Sequence, residues 1–331
     1  MATTLKIIAE RAGLSQSTVS QILNRKANDF SSEKTRQMVF DIANELGYKQ
    51  KFGHKLLRGD KTHTVAILLG MHRVGLEEQV QALILQLLDR LENKNYGAYL
   101  VTLSDNVSKN LETIKELISR GTDSFIFLSC PVGEAELEEY IINEKRTLIS
   151  YDTGNFRKII IDSSNSVAEI IEFFIKEKHE NFRFFLGNPP HPERVSGLCK
   201  VFPNIPKEEL LNKYMVDLGD MKDHNDIDCF TQIGYESTKQ AFEKDPNIDA
   251  CFYLSDYFAM GGVKYLVESG RKVGSDVLVA GFNNTYAIRS FPFPISSIAH
   301  DTSAIAVALI DGMDGNGPLT KKIPTRTIIR K

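Results

Sequence analysis

The sequence predicts two kinds of structure in one chain: an all-α helix-turn-helix head, then an α/β body of two doubly wound parallel-sheet lobes. The head is predicted from residues 4–24, where two short amphipathic helices flank a glycine. The body is predicted from residue 64 onward, where short apolar runs alternate with helical segments in two series. The length of 331 residues and the hydrophobic fraction of 42% are sufficient for several packed cores.

The first two helices of the head are predicted from their apolar faces and from the turn between them. The first helix presents an apolar face made of Leu5, Ile8, Ala9 and Ala12. Gly13 follows where a sharp turn requires a residue that tolerates positive φ. Ser15 is the expected N-cap of a second helix that starts at Gln16. The apolar side of this helix contains Val19, Ile22 and Leu23.

A third helix is predicted over residues 33–46, with Ser32 as its N-cap and Gly47 as its stop. Its inward positions are expected to be Met38, Val39, Ile42, Ala43 and Leu46.

The net charge of the N-terminal region differs from that of the remaining chain. Residues 1–60 hold ten Lys/Arg and six Asp/Glu, although the whole chain has a net charge of −3. A basic head on an acidic body is typical of a head that contacts phosphates.

The strands of the body are predicted in two series. The first series comprises residues 65–69, 98–103, 124–129 and 147–151. The second comprises residues 159–161, 182–186, 250–254 and 277–280, and a last strand is expected over 323–330. Ligands of open α/β sheets bind beyond the carboxyl ends of the strands, so a cleft between the lobes is the default binding site.

The head carries a long sequence pattern, in which ten residues fall at defined spacings: Thr4, Ala9, Ala12, Gly13, Ser15, Thr18, Val19, Ser20, Leu23 and Asn24. This pattern resembles the N-terminus of the LacI/GalR family of regulators, and the resemblance continues less densely to the end of the chain. It implies a periplasmic-binding-protein-like body in which the chain passes between lobes near residues 160, 293 and 320.

The resulting domain hypothesis has three parts: a head at 1–47, a hinge linker at 48–61 and an effector-binding and dimerisation domain at 62–331. The N-lobe is expected at about 62–159 and 297–319, and the C-lobe at about 160–296 and 320–331. The family implies that the linker folds into a short helix on DNA, with Leu57 as a minor-groove wedge. Gly53 would weaken that helix.

Three polar residues of the second helix, Gln16, Ser17 and Gln21, are the candidate base-reading residues. Position 21 is often arginine in the family, whereas a glutamine can pair with adenine. Candidate phosphate contacts, which position a protein without specifying sequence, are Thr4, Ser15, Arg25, Lys34, Arg36, Lys55 and Arg58. A solvated helix face is the alternative interpretation.

In the cleft, the resemblance assigns effector contacts to Arg194, Asp152 and Asp256, and His72 and Phe230 are further candidates. Charge-assisted hydrogen bonds of this kind suit sugars and other polyols. For Asp256, a role as helix N-cap is the competing interpretation. In the body the sequence departs from the family pattern at six positions, which bear Ser163, Ser166, Ser255, Asn283, Asn284 and His300.

The function expected from these features is a sequence-specific DNA-binding transcriptional regulator, a repressor controlled by a sugar or sugar phosphate. A purine or nucleoside corepressor is the alternative effector. An enzyme on the same fold is disfavoured, because no nucleophile elbow, P-loop or paired metal ligands occur. A transport-type binding protein is disfavoured by the basic head and by the lack of an export signal.

The expected partners are pseudo-palindromic double-stranded operator DNA, a small-molecule effector and a second copy of the chain. A dimer is preferred over a tetramer because no heptad tail follows the last strand. No cofactor, metal or membrane is expected, since the cysteines Cys130, Cys199, Cys229 and Cys251 show no ligand spacing and no apolar run spans a bilayer. The expected location is the cytoplasm.

Overall fold

The computed structural model describes residues 4–23, 30–48, 61–70, 77–219, 227–313, 315 and 319–331. The chain divides into two compact units, residues 1–62 and 63–331. The first unit contains α1 (Leu5–Ala12), α2 (Gln16–Leu23) and α3 (Glu33–Glu45).

The three helices of the head enclose a small apolar core, formed by Ile8, Ala9, Val19, Ile22, Val39 and Ala43. Gly13 ends α1 at a φ of 68°, as the turn between the helices requires. The Oγ atoms of Ser15 and Ser32 accept hydrogen bonds from the amides of Thr18 and Thr35, at 3.1 and 3.2 Å. Both predicted N-caps are therefore present. The prediction that Met38 faces inward is wrong, because this side chain is 39% exposed.

The body begins with β1 (Thr64–Leu69), α4 (Glu78–Asn93), β2 (Gly97–Thr102), α5 (Val107–Ser119), β3 (Ser124–Phe127), α6 (Glu134–Asn143), β4 (Thr147–Tyr151) and β5 (Arg157–Asp162). It continues with α7 (Ser164–Lys176), β6 (Phe182–Leu186), α8 (Pro192–Val201), α9 (Lys207–Tyr214), β7 (Met215–Asp217), α10 (Ile227–Lys244), β8 (Ala250–Tyr253), α11 (Asp256–Glu268) and β9 (Leu278–Ala280). It closes with α12 (Tyr286–Arg289), β10 (Ile295–Ala299), α13 (Thr302–Gly312), β11 (Leu319–Pro324) and β12 (Arg326–Ile328).

Within the described part of the body, these strands form two sheets, one in each lobe. The first sheet is parallel throughout, with the order β11-β5-β4-β3-β1-β2. The second has the order β12-β10-β9-β8-β6-β7, in which only the described pair β10 and β12 is antiparallel. The predicted pair of doubly wound parallel-sheet lobes is thus confirmed.

The strand β1 shows why its sequence is apolar without interruption. All six of its residues are buried. Val65, Ile67 and Leu69 pack on the side of α4 and α13, whereas Ala66 and Leu68 pack on the side of α5 and α6. A strand covered by helices on both faces needs apolar side chains at every position.

The chain crosses between the lobes after β5, after β10 and between β11 and β12. These crossings fall later than the predicted positions near residues 160, 293 and 320. The predicted strand 159–161 lies in the first sheet, because Ile159 pairs with Tyr151 and Lys321. The strand β10 belongs to the second sheet, and the single last strand expected over 323–330 is divided between the two sheets. Five described elements had no counterpart in the prediction, namely α9, β7, α12, β10 and α13.

Two glycines allow α10 and α11 to touch through their backbones. A Cβ atom on Gly234 would lie 2.1 Å from the carbonyl oxygen of Phe258. A Cβ atom on Gly261 would lie 1.9 Å from the carbonyl oxygen of Thr231. No side chain fits at either position unless the helices move apart.

The start of α11 is fixed to its surroundings by the carboxylate of Asp256. This side chain is completely buried and accepts hydrogen bonds from the Thr285 amide and the Ser297 hydroxyl, both at 2.7 Å. Burial raises the pKa of Asp256 to about 6, although the bonds from Ser297 and Thr285 act in the opposite direction.

We expect Gly261→Ala to destabilise the body by about 1–3 kcal/mol, because the added methyl group forces α10 and α11 apart. Urea unfolding followed by circular dichroism measures the change. Gly97→Ala is the matched control, since its new methyl group meets its nearest atom, Thr64 Oγ1, at 3.9 Å. Equal unfolding free energies for the two variants would contradict the close helix contact.

The raised pKa of Asp256 also predicts a pH dependence. The folded-state pKa of about 6 exceeds the ordinary value of 3.8, so the stability contributed by this group is complete below pH 4 and is lost as the pH rises to 6. The unfolding free energy of the native protein, relative to Asp256→Asn, should fall by about 2 kcal/mol between pH 4 and pH 6, and by roughly 3 kcal/mol once the pH has passed well above 6. A series of urea titrations at closely spaced pH values measures it. A difference that stays constant with pH would show that the carboxyl ionises normally.

Candidate ligand cleft and DNA-reading surface

A cleft with a volume of about 370 Å³ lies between the two lobes, beyond the carboxyl ends of the strands. Each strand that leads to the cleft contributes the residues that follow it. From the first lobe these include Ser129 after β3, Asp152 after β4 and Ser163 after β5, and from the second they include Ser255 after β8 and Asn283 after β9. The cleft therefore lies where ligands of open α/β sheets usually bind, as the sequence predicted.

Arg194 lines the cleft, as the sequence predicted, and lies in the first turn of α8. Its Nη1 donates a hydrogen bond to the carbonyl oxygen of Leu254 at 2.9 Å, and its guanidinium carbon lies 4.1 Å from the centre of the Phe282 ring. Burial lowers the pKa of Arg194 to about 10, so the side chain remains a cation at neutral pH. Within the described residues this single hydrogen bond uses one of the five N–H donors of the guanidinium, and the remaining donors suit other acceptors.

Asp152 also lines the cleft and connects the two lobes. Its backbone has a φ of 55°. One carboxylate oxygen accepts a bond from the Ile161 amide at 3.1 Å, and the other lies 3.1 Å from Nε2 of His191 in the opposite lobe. Burial raises the pKa of Asp152, but the hydrogen bond and charge of His191 and the Ile161 amide outweigh it, so the pKa lies below its usual value. The cleft thus contains a carboxylate opposite a guanidinium.

Asp256 does not line the cleft, contrary to the prediction. Both of its carboxylate oxygens are directed to Thr285 and Ser297, as described above. The competing N-cap interpretation is also wrong, because Ser255 occupies the N-cap position of α11. Ser255, one residue earlier, lines the cleft instead.

Phe230 lines the cleft as expected, with its ring stacked 4.8 Å from that of Phe258. His72 lies outside the described residues. The sequence prediction missed several polar lining residues, which are Glu77, Gln79, Tyr151, Ser255, Asn283 and His300. For three of these a signal existed, because Ser255, Asn283 and His300 are among the positions at which the sequence departs from the family pattern.

His300 connects two of the missed residues. Its Nε2 lies 3.0 Å from Oδ1 of Asn283, and its Nδ1 lies 3.4 Å from the hydroxyl of Tyr151. Burial lowers the pKa of His300 to about 4, so the imidazole is neutral at physiological pH. The side chain therefore orients Asn283 without adding a charge to the cleft.

Three buried polar atoms on the cleft residues have no hydrogen-bond partner among the described part of the chain. They are Oε1 of Gln79, Nδ1 of His191 and Oγ of Ser255. A buried polar atom without a partner costs about 1–3 kcal/mol. Their concentration in one cleft is typical of a site that is completed by a ligand.

In the head, Gln16 and Ser17 are exposed in the first turn of α2, and Gln21 is partly exposed one turn later. Thr4 and Lys34 are exposed as well. Ser15 caps α2, and Arg36 forms an ion pair with Glu33 at 3.1 Å. The other predicted DNA contacts, Arg25, Lys55, Leu57 and Arg58, lie outside the described residues.

No group of three or more potential metal ligands occurs among the residues with described positions. In the same part of the chain, no helix has both the length and the apolar composition that a membrane span requires.

Comparisons with known proteins agree with this architecture. The family described as "Bacterial regulatory proteins, lacI family" matches residues 4–51. The family described as "Periplasmic binding protein-like domain" matches residues 171–331. Catabolite control protein A of Priestia megaterium is 23% identical over 320 residues, which are 94% of this chain and 92% of that protein. The HTH-type transcriptional regulator GalR of Streptococcus thermophilus is 24% identical over 342 residues, covering 98% and 96%.

Solved structures share the whole fold. The Lac repressor dimer bound to operator and the anti-inducer ONPF superposes with a TM-score of 0.73 at 18% identity, covering 100% of this chain and 99% of that one. The complex of the transcriptional regulator CelR with cellobiose gives 0.67 at 19% identity, covering 99% of both chains. The matched relatives are regulators rather than enzymes. With its lacI-type helix-turn-helix and its two-lobed body, the chain belongs to the LacI/GalR family of DNA-binding transcriptional regulators.

Proposed function

We propose that this regulator is a cytoplasmic homodimeric repressor whose operator affinity is set by an uncharged sugar in the cleft. The observation that carries the proposal is the placement of Arg194 and Asp152 in one cleft with three buried polar atoms that have no hydrogen-bond partner among the described residues. A guanidinium donates to hydroxyl oxygens and a carboxylate accepts from hydroxyl protons. A polyol offers both kinds of group on neighbouring carbons.

The apolar part of the lining supports a sugar as well. Phe230 lines the cleft and stacks on the buried ring of Phe258, so it gives the lining an aromatic side chain against which the C–H face of a sugar ring can pack. The described charged groups of the lining include two carboxylates, Glu77 and Asp152, and one guanidinium, that of Arg194. The excess of negative charge repels a phosphate group, so the lining favours an uncharged sugar over a sugar phosphate. The solved structure of the relative CelR is a complex with cellobiose.

The effector acts through linkage in this proposal. A sugar that contacts both lobes stabilises one angle between them, and it changes operator affinity only as far as it prefers that angle. A symmetric dimer with two reading heads recognises a pseudo-palindrome. In each head Gln16, Ser17 and Gln21 read bases, and Thr4, Ser15, Lys34 and Arg36 contact phosphates together with Arg25, Lys55 and Arg58. Leu57 is the minor-groove wedge.

A purine or nucleoside corepressor is the second candidate effector. The position of Phe230 in the lining is the observation that favours it, because a nucleobase can stack on an aromatic ring. This effector would increase operator affinity rather than reduce it. The same binding experiment separates the two candidates.

A thermal-shift panel of sugars, sugar phosphates and nucleobases tests the cleft. We expect one sugar to raise the melting temperature, since a ligand at 100 times its Kd stabilises by about 2.7 kcal/mol. Arg194→Ala should abolish the shift. Arg120→Ala, which removes the exposed arginine that follows α5, is the matched control and should retain it. A shift that persists in Arg194→Ala would refute this site, and a shift only with nucleobases would select the second candidate.

Selection of binding sites from random duplexes tests the base-reading residues. We expect adenine at the half-site position that Gln21 reads, and a change to guanine in Gln21→Arg, because each matched pair contributes about 1–3 kcal/mol of discrimination. Lys34→Ala is the control, because loss of a phosphate contact weakens binding to all sequences evenly. An invariant guanine selected by the native protein would be the opposing result.

A further inference from the structure

We propose that Glu78 is a positioning residue that holds the two lobes together across the mouth of the cleft. We call this contact the clasp and define it by Glu78, Tyr257 and the backbone amide of Tyr286. Its consequence for ligand sensing rests on the proposed function, whereas the contact itself can be measured without any ligand or DNA.

The clasp joins one carboxylate of the first lobe to two elements of the second. Glu78 is the first residue of α4. Its Oε1 accepts a hydrogen bond from the hydroxyl of Tyr257 at 3.0 Å, and its Oε2 accepts one from the amide of Tyr286. Tyr257 belongs to α11, and Tyr286 begins α12. Hydrogen bonds from neutral donors to a charged acceptor are stronger than those between neutral groups.

The clasp connects the lobes through an element other than the chain crossings. The helix α4 packs against β2, which is the edge strand of the first sheet opposite to β11, and against α13, which follows the crossing after β10. The other two crossings leave the first sheet from β5 and β11 at the opposite edge. The clasp therefore adds a noncovalent connection between the lobes that does not pass through a crossing.

Residues that line the cleft lie beside the clasp in both lobes. Glu77 and Gln79 flank Glu78 on α4 and both line the cleft. In the second lobe, Ser255 precedes Tyr257 by two residues and Asn283 precedes Tyr286 by three. A ligand that contacts either wall therefore acts on backbone that is directly continuous with the clasp.

The second lobe presents the Tyr286 amide in a fixed orientation. The preceding amide, that of Thr285, is held by Asp256 at 2.7 Å, and the Thr285 side chain caps α12 by accepting a bond from Ile288 at 3.3 Å. The Tyr286 side chain is 68% exposed, so the backbone rather than the ring makes the contact with Glu78. A fixed donor requires little ordering when the lobes close.

Hydrogen exchange of the full-length protein, measured by mass spectrometry on peptides covering residues 284–290, tests the clasp. We expect Glu78→Ala to increase the exchange rate of the Tyr286 amide at least tenfold. Tyr257→Phe, which removes only the hydroxyl, should increase it by a smaller factor. The two changes should combine to less than the product of their separate factors, because they remove parts of one contact.

Three further variants keep the result interpretable. Glu92→Ala removes an exposed glutamate from the same helix and should leave exchange at 284–290 unchanged. Tyr286→Ala keeps the amide donor and should retain its protection. If Glu78→Ala does not fold, Glu78→Gln is the substitute, because it preserves the shape of the side chain. In this variant the Tyr286 amide should still exchange at least threefold faster than in the native protein. Exchange within twofold of the native rate in a folded Glu78 variant would overturn the proposal, whatever the ligand panel shows.

Discussion

The two lobes are held by three chain crossings, and the composition of the cleft depends on them. The amide of Thr325, between β11 and β12, donates a hydrogen bond to the carbonyl oxygen of Asp162 at the end of β5 at 3.2 Å, so two of the crossings are bonded to each other. Since the crossings lie at the carboxyl ends of β5, β10 and β11, the residues that follow the parallel strands face one another across a single cleft. Ser163 and His300 line that cleft because they belong to the crossings themselves.

The sequence could predict the strands better than the sheets they join. An apolar run such as that of β1 reports burial on both faces, and this is a local property of the chain. Sheet membership is not local. Ile159 looks the same whether its partners are Tyr151 and Lys321 or a strand of the other lobe, and pairing across more than 150 residues decides the outcome. The strand predicted over 323–330 shows the same limit. The sequence predicts one strand there, whereas the structure places the residues before Thr325 in β11 of the first sheet and those after it in β12 of the second.

The site shows the same limit for side chains. Asp152 and Asp256 each follow a strand, and the family pattern assigns both to the ligand. Their surroundings separate them. A Cβ atom on Gly281 would lie 2.3 Å from Oδ1 of Asp256, so the backbone of the next strand closes over this carboxylate, and Ser297 of β10 supplies a donor from the far side. These neighbours are distant in sequence, and only the fold brings them together.

Sensing by this cleft requires that the ligand interact differently with the open and closed arrangements of the lobes. The described structure already contains contacts that favour closure, namely the pair of Asp152 and His191 and the clasp at Glu78. A sugar that bonds to Asp152 competes with His191 for the same oxygen, whereas a sugar near Gln79 or Asn283 leaves the clasp intact. In the proposed function, the position of a ligand within the cleft therefore decides its effect on the lobes. A ligand that replaces either contact favours opening, whereas a ligand that leaves both contacts in place and bonds to both lobes favours closure.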